Sequence, residues 1–311
     1  MSEQILAPVG GDMIALLPQD RHPRFNWTRL LAIVLSLLVI AVALYQMRSI
    51  EPERIFRLVP ASPSFWLLFL LSFMAGPLSE WFIFNRLWGV GLPALGALTR
   101  KLVFNELLLG YLGEAYFYAW ARKNRLVKAA PFGAVKDVAI LSAMAGNVMT
   151  LAMIVLAIPF LDLLPLGEHR AAIGWSLAFV IGTSLAATVW RKSLFSLTAS
   201  ELHMVFWVHM ARILATTLIS AMLWFMVLPD TPIGWWLVLA AVRLLISRLP
   251  FVPNKDLVFA GIAVLAAGAN LHIAELMAMM AGLILSANLI AGCAFALIDL
   301  TSGERRLALA R

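Results

Sequence analysis

Residues 138–160 read VAILSAMAGNVMTLAMIVLAIPF, a run without a single charged side chain. About 20 apolar residues in a helix are enough to cross the hydrocarbon core of a bilayer. The whole chain has the same character, with 62% hydrophobic and 13% charged residues, whereas soluble domains are about 45–50% apolar and about 25% charged. The sequence therefore predicts an all-α, polytopic helical membrane protein. It argues against a β-barrel, whose strands alternate in segments of about 10 residues.

Eight windows of the chain are apolar enough to be candidate membrane spans. Two of them are short, which is typical of broken or re-entrant helices near a transport site. The eight windows are Trp27–Met47, Ser64–Phe84, Val138–Phe160, Ala171–Trp190, Met210–Leu228, Ile233–Ile246, Leu257–Ala269 and Ala274–Leu300. We expect a polar N-terminus (1–26), one transmembrane domain (27–300) and a C-terminal tail (301–311).

The distribution of basic residues predicts the orientation of these spans. With both termini in the cytoplasm, 19 of the 24 Lys and Arg residues fall in cytoplasmic segments, four fall outside, and Arg212 is embedded in the fifth window. Such an asymmetry is what the positive-inside rule requires. The distribution predicts a chain that crosses a membrane several times, with both termini in the cytoplasm. The basic cytoplasmic face would attract anionic lipid head groups, although the same charges are also explained by topology alone.

The segment 89–130 is too apolar for a loop and too charged for an ordinary span. We expect interfacial or re-entrant helices here, because non-helical backbone at membrane depth persists only where protein or a water-filled cavity covers it. Ionisable groups near hydrocarbon depth are costly and tend to be functional. This segment is therefore the first place in which we expect a site.

Polar residues recur at every fourth position of this segment: Glu106, Gly110, Glu114, Tyr118 and Arg122. On one helix, each adjacent pair of that row would meet. The row predicts a polar groove in which Arg122 binds a phosphate and Glu114 binds an amine or orients the arginine. A purely structural role, with Glu114 paired to Arg122 or to Lys136, is the alternative.

Further candidate binding residues lie around this row and later in the chain. Asn105 and Gly113 precede Glu114, and Lys136 and Asp137 open the third window, where capping or snorkelling is the simpler role. A late stretch with two prolines cannot be a continuous helix and could present a helix N-terminus to an anion, although a plain cytoplasmic turn is the simpler interpretation. Its candidate residues are Arg248, Pro250, Pro253, Asn254, Lys255 and Asp256.

The remaining patterns are less specific. Ala274, Ala278, Gly282 and Ser286 form a stripe of small residues that predicts helix–helix contact and a possible homo-oligomer. No nucleophile elbow, P-loop or HExxH pattern is visible. We therefore predict no enzyme activity, no cofactor, no metal site and no nucleic-acid partner.

The chain resembles the flippase-like transmembrane region of lysylphosphatidylglycerol synthases and their stand-alone bacterial relatives. The resemblance rests on Asn105, Gly110, the Gly113–Glu114 pair and Arg122, then on Lys136–Asp137, and on the proline-containing break from Leu249 to Pro253. The family's late glycine-rich stretch followed by a glutamate is replaced here by Asn254–Lys255–Asp256, and the soluble lysyl-transferase domain is absent. The resemblance implies handling of lipids or lipid-linked envelope precursors, with translocation of the head group.

Two other functions remain open at the level of sequence. The chain could be an accessory or scaffold protein for an envelope glycosyltransferase, with its ionic residues serving only to hold helices together. It could also be a membrane-embedded enzyme that modifies a lipid, with Glu114 or Asp137 as the base. If the chain handles lipids, we expect membrane lipids with anionic head groups as its partners. If it is a scaffold, we expect an envelope glycosyltransferase as its partner.

Overall fold

The computed structural model describes residues 59–108, 112–123, 131–163, 195–248, 255–267 and 271–308, together with residue 182. These residues form eight α-helices, and no strand occurs among them. In chain order the helices are α1 (Pro63–Trp88), α2 (Pro93–Leu107), α3 (Leu112–Lys123), α4 (Pro131–Ala157, continued by the 3₁₀ turn Ile158–Leu163), α5 (Ala199–Val227), α6 (Ile233–Ser247), α7 (Lys255–Ala267) and α8 (Leu271–Ala308). The expected all-α fold is confirmed.

Four of the described helices are long and apolar enough to cross a membrane: Pro63–Trp88, Phe132–Phe160, Ala199–Val227 and His272–Ile298. They correspond to the second, third, fifth and eighth predicted windows. The sixth and seventh windows form α6 and α7, of 15 and 13 residues, which reach only about 20 Å at 1.5 Å per residue. The first and fourth windows lie outside the described residues, so the structure bears out four spans rather than eight.

Local sequence signals explain where the long helices begin and end. The Ser62 side chain accepts a hydrogen bond from the Phe65 amide (3.2 Å) just before Pro63 at the first position of α1. Gly89 ends that helix with φ +66°, a left-handed conformation that glycine adopts without a Cβ clash. Thr198 and Glu201 form a reciprocal capping box at the start of α5. At the other end of the chain, α8 continues to Ala308, so the predicted boundary at residue 300 lies inside a helix.

The bundle is apolar outside and partly charged inside. Large hydrophobic side chains such as Leu218 (57% exposed), Phe225 (52%) and Ile290 (71%) face outward, while Lys101 (4%) and Asp137 (0%) are buried. A soluble protein shows the opposite arrangement. A hydrophobic core formed by residues of α1, α4, α5, α6, α7 and α8 contains the rings of Phe65, Trp224, Trp236 and Phe259.

The predicted interfacial or re-entrant segment 89–130 forms two short helices packed inside the bundle. α2 contacts α1, α3 and α8, and α3 also contacts α4. With 15 and 12 residues, neither helix is long enough to cross a bilayer. Their packing places Lys101, Glu106 and Glu114 of this segment on the wall of one cavity.

Candidate functional site

A cavity of about 410 Å³ lies at the centre of the bundle and is lined by residues from all eight helices. Its wall carries nine charged side chains, set among apolar residues and several serine and threonine hydroxyls. The basic members are Lys101, Arg212, Arg243, Arg248 and Lys255, and the acidic members are Glu80, Glu106, Glu114 and Asp256. The described wall therefore has one more basic than acidic side chain.

The first charged group joins α1, α2 and α3, and we call it the Lys101 cluster (Glu80, Lys101, Asn105 and Glu114). Lys101 Nζ donates to both carboxylate oxygens of Glu80, at 2.8 and 2.7 Å, and lies 3.3 Å from Glu114 Oε1. Burial lowers the pKa of Lys101, but the two carboxylates outweigh burial and raise it above the usual value. The ammonium therefore stays charged and ties three helices together.

Asn105 connects the end of α2 to the beginning of α3. Its side-chain oxygen accepts a hydrogen bond from the Gly113 amide (2.8 Å), and its side-chain nitrogen donates to Glu114 Oε1 (3.2 Å). A Cβ on Gly113 would collide with the Lys101 carbonyl oxygen and lie 2.7 Å from Asn105 Oδ1. Glycine at position 113 is thus needed for the close approach of the two helices.

The second charged group joins α5, α6 and α7, and we call it the Arg243 cluster (Ser220, Arg243 and Asp256). Arg243 Nε lies 2.7 Å from Asp256 Oδ1, and its Nη1 donates to Ser220 Oγ at 2.8 Å. Next to this cluster, Lys255 Nζ donates to the Ser247 carbonyl oxygen (2.8 Å). These contacts hold the ends of two short helices, α6 and α7, against α5.

Glu106 lies on the cavity wall near the Arg243 cluster. Burial raises the pKa of this carboxyl to about 7, and the neighbouring Asp256 carboxylate adds to the rise, whereas Lys255 and Arg243 reduce it. The charge of the cavity therefore changes close to neutral pH. Below that pKa the excess of positive charge in the cavity grows by one.

Arg248 reaches the cavity across the backbone of α4. Its guanidinium donates to Ser247 Oγ, from Nε at 3.0 Å and from Nη2 at 2.8 Å, and lies against Gly146. A Cβ at position 146 would collide with the guanidinium. The glycine in the middle of α4 therefore makes room for a charged side chain.

The predicted row of polar residues on one helix is wrong. α2 ends at Leu107 and α3 begins at Leu112, so Glu106 belongs to one helix and Glu114 to the next. The Asn105 side chain caps the new helix at Gly113, which favours a break over a continuous helix. The two glutamates still line the same cavity, because the two helices pack against each other. Gly110 lies outside the described residues.

Tyr118 and Arg122 do not line the cavity with Glu114. The Tyr118 ring contacts Phe132 edge-on, with ring centroids 5.9 Å apart, and Arg122 is exposed near the end of α3. The cation beside Glu114 is Lys101. The expected pairing of Glu114 with Arg122 or with Lys136 is therefore wrong, because Lys101 on the adjacent helix reaches the carboxylate instead.

Lys136 and Asp137 also lie away from the cavity wall. Asp137 is fully buried, and its Oδ2 accepts hydrogen bonds from the Ser196 amide (2.6 Å), the Ser196 hydroxyl (2.8 Å) and the Leu197 amide (2.9 Å). Lys136 Nζ lies 3.4 Å from the other carboxylate oxygen. Asp137 therefore fixes the segment that leads into α5. This role is structural, as is the capping role that was the simpler expectation from the sequence.

The late stretch is only partly within the described residues. Arg248, Lys255 and Asp256 line the cavity, and Asp256 serves as the partner of Arg243. Pro250, Pro253 and Asn254 lie outside the described residues. The helix that precedes them ends at Ser247 and the one that follows begins at Lys255.

The stripe of small residues on α8 stays a prediction as a contact surface. A Cβ added to Gly282 would meet no atom within 4 Å among the described residues. The neighbouring positions Ala274, Ala278 and Ser286 are half-buried. α8 packs against α7 and α2.

Sequence reasoning missed four of the cavity's charged residues: Glu80, Lys101, Arg212 and Arg243. The signal that could have found them is a charge inside or beside an apolar window, which is costly unless it is paired or functional. Lys101 and Arg243 had been counted only as evidence for topology. Their partners are 21 and 13 residues away in the sequence, so no local pattern connects them.

Comparison with known proteins adds nothing to this geometry. No family model matches the chain, and no curated protein or solved structure is significantly similar to it.

Proposed function

We propose that this chain is a multi-pass protein of a bacterial cytoplasmic membrane that moves lipids or lipid-linked envelope precursors between leaflets. The observation that supports this function is a charged cavity at the centre of a bundle whose outer surface is apolar. Charged groups inside a membrane bundle are expensive and mark the path of a polar substrate. A lipid head group is such a substrate, because its tails remain in the bilayer.

The size of the cavity suits a head group rather than a whole lipid. Small-molecule pockets in proteins are about 300–1,000 Å³, and this cavity, at about 410 Å³, is near the lower end of that range. Acyl chains would lie along the exposed apolar side chains of the long helices, such as Leu218 and Ile290. A polar head in the cavity and tails outside it is the division that lipid movement requires.

The charge of the cavity favours an anionic head group. Five basic and four acidic side chains line its described wall, and protonation of Glu106 would add to the positive excess. Short helices supply much of this wall, since α2, α3, α6 and α7 all contribute to it. Alternating access through discontinuous helices is a known design in transporters, and the break between Ser247 and Lys255 is our candidate hinge.

Reconstitution tests the proposal. Purified protein in liposomes is compared for its ability to move fluorescent anionic lipids between leaflets, as wild type and as the Glu106→Gln and Glu114→Gln variants. The matched control is Asp230→Asn, which also replaces an acid by its amide but at an exposed turn. A changed rate of movement in the two cavity variants but not in the control, with melting temperatures close to wild type, supports transport.

Two other outcomes would favour the other functions. A chemically altered lipid in the extract would indicate a lipid-modifying enzyme. Unchanged lipid movement in every variant, together with loss of a co-purifying envelope glycosyltransferase, would indicate an accessory or scaffold protein. No contact in the described structure favours either of these over transport.

A further inference from the structure

Arg212 is a cation of the cavity wall whose described side-chain partner is a serine and not a carboxylate. It lies near the middle of α5, a helix long and apolar enough to cross a membrane. Its Nη2 donates to Ser142 Oγ at 3.2 Å, while its Nε is buried and has no hydrogen-bond partner among the described residues. A guanidinium has five N–H donors and remains charged in proteins. Most of its donors therefore have no described hydrogen-bond partner.

The carboxylates that line the cavity do not pair with Arg212. No described carboxylate comes within 4.0 Å of Arg212. Glu80 interacts with Arg212 electrostatically, but both of its carboxylate oxygens accept hydrogen bonds from Lys101. Asp256 is held by Arg243. The charge of Arg212 is therefore not offset by a described carboxylate at contact distance. An uncompensated buried charge is costly, and an anionic ligand would remove that cost.

We propose that Arg212 binds a phosphate group of the ligand, together with the Ser142 hydroxyl. This inference rests on the proposed function, because it names the chemistry that the same cavity recognises. The planar guanidinium can present two parallel N–H groups to two phosphate oxygens. Ser142 Oγ accepts from the arginine, so its own proton is left to donate to a third oxygen.

The polar face of α5 directs the arginine toward the cavity. Thr216 and Ser220 follow Arg212 at intervals of four residues, so all three lie near one face of the helix. The Thr216 hydroxyl bonds to the Arg212 carbonyl oxygen (3.0 Å) and the Ser220 hydroxyl to the Thr216 carbonyl oxygen (2.8 Å). These hydroxyls donate hydrogen bonds to backbone carbonyl oxygens and form no hydrogen bond with the Arg212 guanidinium. The arginine is left to the ligand.

Binding to purified full-length protein in neutral detergent tests the proposal. Thermal melting is followed with inorganic phosphate against chloride at equal ionic strength, and with short-chain phosphatidic acid against the matching diacylglycerol. We expect wild type and the exposed-site control Arg86→Gln to be stabilised by the phosphate-bearing compounds. Stabilisation by both compounds shows that the phosphate alone suffices, whereas stabilisation by the lipid alone shows that the phosphate must carry its acyl chains.

Arg212→Gln should weaken this binding by about 10- to 100-fold, the loss of one charge-assisted pair, and Arg212→Lys by less. Ser142→Ala keeps the arginine and should weaken binding by a few-fold, so it tests the site even if Arg212→Gln does not fold. Phosphate that stabilises wild type no more than chloride does, and phosphatidic acid no more than diacylglycerol, would overturn the proposal. So would an Arg212→Gln protein that binds as wild type does.

The two proposals fail in different ways. If Arg212→Gln loses phosphate binding but lipid movement is insensitive to all cavity variants, the phosphate site stands and the transport function fails. If Glu106→Gln and Glu114→Gln change the rate of lipid movement while Arg212→Gln neither changes it nor loses phosphate binding, the transport function stands and the phosphate site fails.

Discussion

The Lys101 cluster and the surroundings of Arg212 are two charged regions of one cavity, and they differ in the partners that surround the buried cation. Lys101 lies between two carboxylates at 2.7 and 3.3 Å and ties α1, α2 and α3 together. Arg212 has a single serine as its described side-chain partner. Paired charge inside a protein mainly fixes the arrangement of helices, whereas an unpaired charge of the same sign is left to interact with something else.

The largest effect in this comparison should follow from breaking the Lys101 cluster. Lys101→Met leaves the Glu80 and Glu114 carboxylates, which are 19% and 20% exposed, without their cation. Removing one partner of a buried ion pair costs about 3–5 kcal/mol, and we expect the free energy of unfolding to fall by about that amount. Detergent-based chemical unfolding measures it, with Lys123→Gln at the exposed end of α3 as control. A stable Lys101→Met protein would mean that the cluster does not hold the three helices together.

Two arginines on neighbouring helices sharpen the comparison. Arg243→Gln strands Asp256, so the protein should lose about 1–3 kcal/mol, a range reduced from that of a fully buried pair because both side chains are partly exposed. Arg212→Gln removes a charge without stranding a carboxylate among the described residues, so stability should stay within about 1 kcal/mol of wild type or rise. Unfolding of both variants without ligand provides the measurement. Equal losses in the two would remove the distinction between paired and unpaired arginines.

The packing that builds the Lys101 cluster can be tested through glycine. Gly113→Ala places a methyl group against the Lys101 carbonyl and Asn105 side chain, and overpacking of this kind costs about 1–3 kcal/mol. Gly96→Ala on α2 is the matched control, because its new methyl group would meet nothing within 4 Å among the described residues. That control should be neutral or stabilising by up to about 1 kcal/mol, since alanine favours a helix. Unfolding curves for the pair distinguish a close helix approach from a general loss of glycine.

The long helices follow directly from the sequence, because apolar length is a local property. The windows Ser64–Phe84 and Ala274–Leu300 lie within α1 and α8. Their charged partners do not follow, since Glu80 pairs with Lys101 on another helix. The fourfold spacing from Glu106 to Glu114 suggested one helix, but an asparagine side chain caps a second helix at Gly113. The sequence shows that Arg212 lies within an apolar window. Only the packed structure shows that no described carboxylate pairs with it.

A smaller effect should appear as a dependence of ligand binding on pH. Burial and the nearby Asp256 raise the pKa of Glu106 to about 7, so the carboxyl is neutral below that pH and negative above it. Anion affinity should therefore rise by a few-fold as the pH falls from about 8 to about 6, because a negative charge is lost from the cavity wall.

Short-chain phosphatidylglycerol is the appropriate probe for this measurement. Its phosphodiester does not titrate in this range, unlike a phosphomonoester, whose second pKa is about 6. Glu106→Gln should bind the lipid equally well across the range, since glutamine does not titrate. If the variant kept the same pH dependence as wild type, another group would be responsible.

The smallest effect should follow from Arg122→Gln, and it separates the cation that the sequence pattern indicated from the one that the structure places at the site. Arg122 is exposed near the end of α3 and lies outside the cavity wall, whereas Lys101 contacts Glu114 directly. Exposed substitutions usually change stability by less than about 0.5 kcal/mol, and we expect lipid movement in liposomes to remain within about twofold of wild type. A much larger loss would mean that the head group contacts the end of α3 on its way to the cavity, and the predicted binding role of Arg122 would be restored at the entrance rather than inside.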